Sequence, residues 1–162
     1  MSAMRFKKRT YGSIREFFAD LCFLIRHRKR LRELKSKELI SPAFQERLML
    51  AVTAVDGCRY CSYFHTRQAL KSGVTQEEIG QLLSGDTDVC PKEEGLAVIY
   101  AQHWAESNAN PGPEAVLKLQ ETYGVEKAEA VDLVLRMVRL GNLAGNSFDY
   151  LLYRMSLGKW QR

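Results

Sequence analysis

The chain has 162 residues, 46% hydrophobic and 27% charged, with a net charge of +5, a balance that suits one globular domain able to bury a core without disulfide or metal staples. No apolar run approaches the ~20 residues that a membrane-spanning helix needs, and no small-residue cleavage site follows an apolar stretch, so neither a transmembrane segment nor a signal peptide is expected. The four cysteines are too sparse for an extracellular disulfide scaffold, and a cytoplasmic setting follows as the expectation.

Charge is unevenly spread. Residues 1–37 hold 12 Lys/Arg against 3 Asp/Glu and carry +9, while the remainder carries −4. Such an end can meet nucleic acid, an anionic membrane or an acidic partner, or can be a solvated helix face. No glycine–aromatic strand motif and no zinc-finger spacing accompanies it, so no nucleic-acid partner is expected.

In chain order, Phe17, Leu21, Leu24, Ile25 and Leu31 fall on one stripe of a helix that starts near Ser13 and runs into the basic segment. Cys22 lies among these apolar neighbours and reads as core. Ser41-Pro42 pairs a cap residue with proline at the first helical position. From Glu46 to Val55 the segment is apolar nearly all round, which predicts a central, buried helix. Asp56-Gly57 interrupts it, and a further helix runs from about Cys58 to Lys71, before Gly73. Thr75 with Glu78 forms a capping box for a short helix to about Leu83. Pro91 opens a helix to about Ser107, with Ala97, Ile99, Tyr100 and Trp104 as its apolar members. Pro113 opens another that stops at Tyr123-Gly124, and the last spans Glu126 to about Leu157. Gly141 and Gly145 inside it predict a kink or a close helix contact. Asn142, Asn146 and Asp149 recur there at helical spacing, as polar packing between helices or as lining of a site. No segment alternates like a strand. The fold expected is all-α with about seven helices: a basic extension over 1–35 and a helical domain over 36–162.

Chemistry concentrates in Cys58-Arg59-Tyr60-Cys61-Ser62-Tyr63-Phe64-His65. Spacings of three and four put Cys58, Cys61 and His65 on one helix face. Cys58 at the helix start meets unpaired amides and the positive end of the dipole, which favour a thiolate. His65 lies one turn beyond Cys61, within reach for proton exchange. The dipole thus favours Cys58 as the reactive thiol and the imidazole favours Cys61. A Cys-x-x-Cys pair closes into a disulfide with little chain movement, which suits a redox cycle. Glu46, twelve residues before Cys58, either faces the thiols as a proton donor or acceptor, or is an acid that complements its own helix dipole.

Other chemistries compete for these residues. A structural zinc site needs four ligands, and Cys90, His27 or His103 would have to complete the set. Attached haem requires histidine directly after the second cysteine, where Ser62 stands. A thioredoxin-like fold would set the motif between strand and helix, whereas the preceding segment reads as helix. His103 and Trp104 read as helix packing, and Cys90 before Pro91 as a loop thiol.

Glu46, Cys58-x-x-Cys61 and His65, set in "ERLMLAVTAVDGCRYCSYFHTRQALKSGVTQEEI", resemble the AhpD-like alkylhydroperoxidase branch of the carboxymuconolactone decarboxylase family. The likeness is good over roughly residues 40–85 and looser in "LGNLAGNSFDYLLYR". It implies an all-helical homo-oligomer, trimer or hexamer, with no bound cofactor or metal. It also implies reduction of hydroperoxides by a dithiol cycle: Cys61 attacks, Cys58 resolves, Glu46 and His65 relay protons, and an external dithiol or protein reductant reopens the disulfide. Relatives that decarboxylate lactones lack the cysteine pair. Tyr60 stands where the best-known member has a second relay histidine, so the resemblance supplies one imidazole here. The other functions left open by the residues are a protein disulfide or electron carrier without peroxidase activity, and a metal-binding or structural helical module.

Overall fold

A computed structural model of the protein describes residue 6 and residues 8–156. Among the described residues there are seven helices and no strands: α1 Ile14–Ser36, α2 Pro42–Asp56, α3 Arg59–Lys71, α4 Gln76–Ser84, α5 Lys92–Glu106, α6 Pro113–Tyr123 and α7 Val125–Met155. The all-α expectation holds. Leu157, where the last helix was expected to end, lies outside the described residues, as do 1–5 and 7 of the basic end.

Local chemistry sets most boundaries. The side chains of Ser13, Ser41 and Thr75 each accept a hydrogen bond from the backbone N–H three residues on, satisfying one of the orphan donors of a helix start. Pro42 and Pro113 occupy first-turn positions, where a missing N–H costs nothing. At the end of α2, Gly57 adopts φ 71°, a left-handed conformation that glycine takes without a Cβ penalty. That turn brings α3 back against α2.

The all-round apolar character of α2 places it at the centre, packed by α3, α4, α5 and α7. Leu48, Leu50 and Val52 are buried there against Trp104 of α5 and Val131 and Leu135 of α7. α1 is peripheral and packs along α7. Two expectations fail for that reason. On α1 only Leu34 is fully buried, and Cys22 and Ile25 are exposed rather than core. Ile99 of α5 is likewise exposed, while Ala97, Tyr100 and Trp104 are buried as expected.

Ion pairs tie the basic helix and its cap to α7. Arg30 forks onto Glu129 at 2.7–2.9 Å, Lys37 reaches Glu126 at 2.6 Å, and Arg139 of α7 meets Asp20 of α1 at 3.1 Å. The Arg30 and Lys37 pairs lie at the surface, where solvent screens them, while Arg139–Asp20 is more buried; together they link α1 to α7. Before α1, residues 8–12 run as a strap along the second half of α7. Tyr11 N–H donates to Ser147 Oγ, Asn146 Nδ2 donates to the Arg9 carbonyl, and Lys8 meets Asp149 at 2.6 Å. Phe6 packs edge-on to Tyr150, and the Arg9 guanidinium donates to the Ala105 carbonyl at the end of α5.

Candidate active site

The Gly57 turn leaves Cys58 as the N-cap of α3, outside the helix but aimed at its first amides. Its sulfur accepts from the Cys61 N–H at 3.3 Å and lies 2.7 Å from Cys61 Sγ. Both cysteines are free thiols. Cys58 is completely buried; Cys61 is half-buried and lines a cavity of about 390 Å³ together with Met49, Tyr60, Phe64, His65 and Met137. His65, one turn further along α3, is buried, and its Nδ1 lies 2.8 Å from Glu46 Oε2. Glu46 is not in the first turn of α2, so the dipole account does not describe it. Its contact is with the imidazole rather than with a sulfur. With the carboxylate accepting from Nδ1–H, Nε2 is the ring nitrogen left for exchange on the cavity side.

The two sulfurs differ sharply in acidity. The hydrogen bond from Cys61, together with the Cys61 and Tyr60 amides and the Lys8 charge, draws the Cys58 thiol down from 9.0 to about 7 against the opposing effect of burial. Cys61 moves upward, because it donates to Cys58, is desolvated, and faces both a Cys58 charge and Asp56. The two sulfurs are close enough to share one proton, and the amides at the start of α3 together with Lys8 favour the charge on Cys58. The thiolate fraction of Cys58 therefore grows as pH rises through about 7. Ultraviolet thiolate absorbance, taken as the difference from Cys58→Ser, is expected to show a midpoint near that value. In Lys8→Met the midpoint moves upward, since an attractive charge is lost; an unchanged midpoint would separate Lys8 from the thiol.

Around this pair α7 supplies a polar frame. Asn142 Nδ2 donates to Asp56 Oδ2 at 3.0 Å while its Oδ1 accepts from Thr53 Oγ1, and Asn146 Nδ2 donates to the Asp56 carbonyl. All four residues are buried, and burial raises the Asp56 carboxyl above the ordinary carboxylate range. Asp149 accepts from the Tyr60 hydroxyl at 2.8 Å and from Arg59 at 2.9 Å, besides its ion pair with Lys8. Asn142 and Asn146 are thus polar packing between α7 and α2, and Asp149 anchors the start of α3. α7 runs unbroken through its glycines. At Gly145 a Cβ would stand 3.1 Å from Cys58 Sγ, so the close contact expected there is with the thiol; Gly141 has open space.

Cys58, Cys61 and His65 lie along the start of α3, and Glu46 joins them through His65 rather than through a thiol. Lys8, Tyr60, Asp149 and Gly145 complete the setting. Of these, Gly145 and Asp149 left a trace in the sequence as a glycine and a recurring polar residue inside the last helix, and Tyr60 as part of the Cys-x-x-Cys motif; Lys8 left none. The candidates for a fourth zinc ligand lie elsewhere: His27 stacks on Phe23, His103 Nε2 donates to the Pro111 carbonyl, and Cys90 neighbours Glu78, Arg47 and Glu94. Among the described residues no three His, Cys, Asp or Glu side chains converge as a metal set, and no helix is long and apolar enough to cross a membrane.

The model of the carboxymuconolactone decarboxylase family matches residues 21–101, half of the chain and all four of these residues. No curated protein and no solved structure matches. With seven helices, an acid–imidazole pair and two thiols all arranged within or around the matched segment, the chain belongs to the carboxymuconolactone decarboxylase family.

Proposed function

We propose that the protein is an alkylhydroperoxidase-type thiol oxidoreductase of the AhpD-like branch, working through a Cys58/Cys61 dithiol cycle. One observation carries the reading: a fully buried thiol lies 2.7 Å from a second thiol that opens onto a cavity beside a Glu46–His65 pair.

Access decides which sulfur meets the substrate. Transfer of the shared proton from Cys61 to Cys58 leaves a Cys61 thiolate facing the cavity. That thiolate attacks the terminal oxygen of ROOH; the S–O bond forms, the O–O bond breaks, and two electrons pass from sulfur to the peroxide. The departing alkoxide takes a proton by way of His65, oriented by Glu46, and leaves as ROH. Cys61 sulfenic acid then condenses with the Cys58 thiol, releasing water and closing the disulfide. An external dithiol returns two electrons and two protons by attacking the accessible Cys61 sulfur. Cys58, whose thiol is the more acidic, is the better leaving group in that exchange. No bound cofactor enters the cycle.

The exposed aromatic side chain of Phe64 at the cavity, with exposed Tyr63 next to it in the chain, supports a homo-oligomeric assembly covering this face. Titration of free thiols before and after one equivalent of an alkyl hydroperoxide tests the function. Loss of two thiols per chain, followed by turnover when a dithiol is supplied, is expected. Thiols that survive the peroxide but exchange with a protein disulfide would make the protein an electron carrier instead.

A further inference from the structure

We propose that the substrate is a long-chain carboxylate hydroperoxide, and that its chain lies in a groove between α2 and α7 leading from Cys61 past Met137 to Lys35. The proposal rests on the peroxidase reading of the same site.

Next to the site cavity lies a second one of about 180 Å³, between α1, α2 and α7. Met137 lines both. On α7 the lining runs Ala130, Val134, Met137, Val138 and Gly141, a helical repeat of one face; on α2 it passes from Gln45 to Met49, one turn on. The two helices therefore carry one groove rather than two unrelated hollows. From Ala130 to Gly141 it follows roughly 16 Å of helix axis at 1.5 Å per residue, the reach of a long acyl chain and not of a short alkyl group.

The hollow is partly open to solvent and has room for an apolar occupant. An apolar cavity of about 150 Å³ takes a benzene ring, so a hollow of about 180 Å³ can seat a stretch of acyl chain. Its inner walls are Leu31, Leu34, Ile40 and Val134, which offer an occupant nothing but apolar contact. Met137 is unbranched and turns about several bonds, so it can yield between the halves. Polarity returns at the end remote from the thiols, where Lys35 and Gln45 line the opening. An apolar chain that ends in a carboxylate matches that order: anion at Lys35, tail against α7, peroxide at Cys61.

The test compares kcat/KM for a C18 fatty-acid hydroperoxide, its methyl ester and tert-butyl hydroperoxide, each with the same dithiol, and measures binding of laurate to the full-length protein by calorimetry. The wild type is expected to favour the fatty-acid hydroperoxide over tert-butyl hydroperoxide by about tenfold or more and to bind laurate. Ala130→Phe fills the groove and collapses that ratio; Leu31→Trp, on the less buried wall, does the same if Ala130→Phe fails to fold. Lys35→Gln narrows the gap between acid and ester. Equal kcat/KM for long and short substrates, without laurate binding, overturns the groove while leaving the peroxidase intact. Laurate binding that Ala130→Phe or Leu31→Trp abolishes, in a protein that reduces none of the three peroxides, keeps the groove and overturns the peroxidase. A chain-length preference that survives in both filled variants also overturns it, and moves the chain to another surface.

Discussion

Cys61→Ser is expected to reduce peroxide consumption to the background rate, while Cys58→Ser still consumes one equivalent and then stops. The difference follows from burial. Cys58 has no accessible surface and Cys61 opens onto the cavity, so removing Cys61 removes the only one of the two sulfurs that a peroxide can touch. Without Cys58 the first chemical step survives, but the sulfenic acid on Cys61 has no thiol within 2.7 Å to condense with. A sulfenic-acid-trapping diketone followed by mass spectrometry reads the outcome: the adduct forms on Cys61 in Cys58→Ser and is absent from Cys61→Ser. The single-turnover rate of Cys58→Ser should also fall below wild type, because Cys61 loses the partner that holds the shared proton. An adduct on Cys58 in Cys61→Ser would invert the proposed order and would mean that acidity, not access, selects the nucleophile.

Glu46→Gln and His65→Ala are each expected to lower turnover by about 10²–10⁴-fold, the usual size of a lost general acid–base contribution. Glu46→Gln keeps the shape and a hydrogen-bonding group next to Nδ1 but removes the negative charge that orients the ring and favours its protonated form. The double variant should be little worse than either single one, since Glu46 acts only through His65; groups that work as a unit are strongly non-additive. A double variant whose losses multiply would give the two residues separate roles. Buffer rescue distinguishes chemistry from packing: added imidazole should restore part of the rate in His65→Ala, and a purely structural role for the ring would leave no such rescue.

Much of this architecture was legible because helix ends are local events. Ser13, Ser41-Pro42, Thr75 with Glu78, Pro113 and Gly124 bracket their helices through groups a few residues apart, and those boundaries hold. The line of Cys58, Cys61 and His65 is equally local. Burial was less legible where it depends on what covers a helix. The apolar stripe of α1 meets only α7, so Cys22 and Ile25 stay at the surface despite apolar neighbours. Long-range partners left the faintest trace. Lys8 lies in a strap without periodicity, 141 residues from the Asp149 it pairs with, and nothing local tells it apart from the other basic residues of the first 37.

Cys58 as a helix cap ties the redox state of the pair to the stability of α3. In the dithiol form its sulfur can carry charge opposite the Cys61 amide; in the disulfide it cannot, and the first turn loses an anionic acceptor. By a closed thermodynamic cycle, whatever the folded protein gains from that thiolate must appear as a bias towards reduction, making the disulfide more oxidising than one in an unstructured Cys-x-x-Cys peptide. The folded Cys58 thiol is more acidic than the free one, so its contribution grows as pH rises from about 7 towards the ordinary value of 9.0 and disappears as pH falls through about 7; above 9.0 the raised Cys61 thiol, ionised in a free peptide but not in the fold, works against it. A weakly reducing dithiol is enough to reset such a protein, and its oxidised form should melt at a progressively lower temperature relative to the reduced one as pH is raised from about 7 towards 9.0.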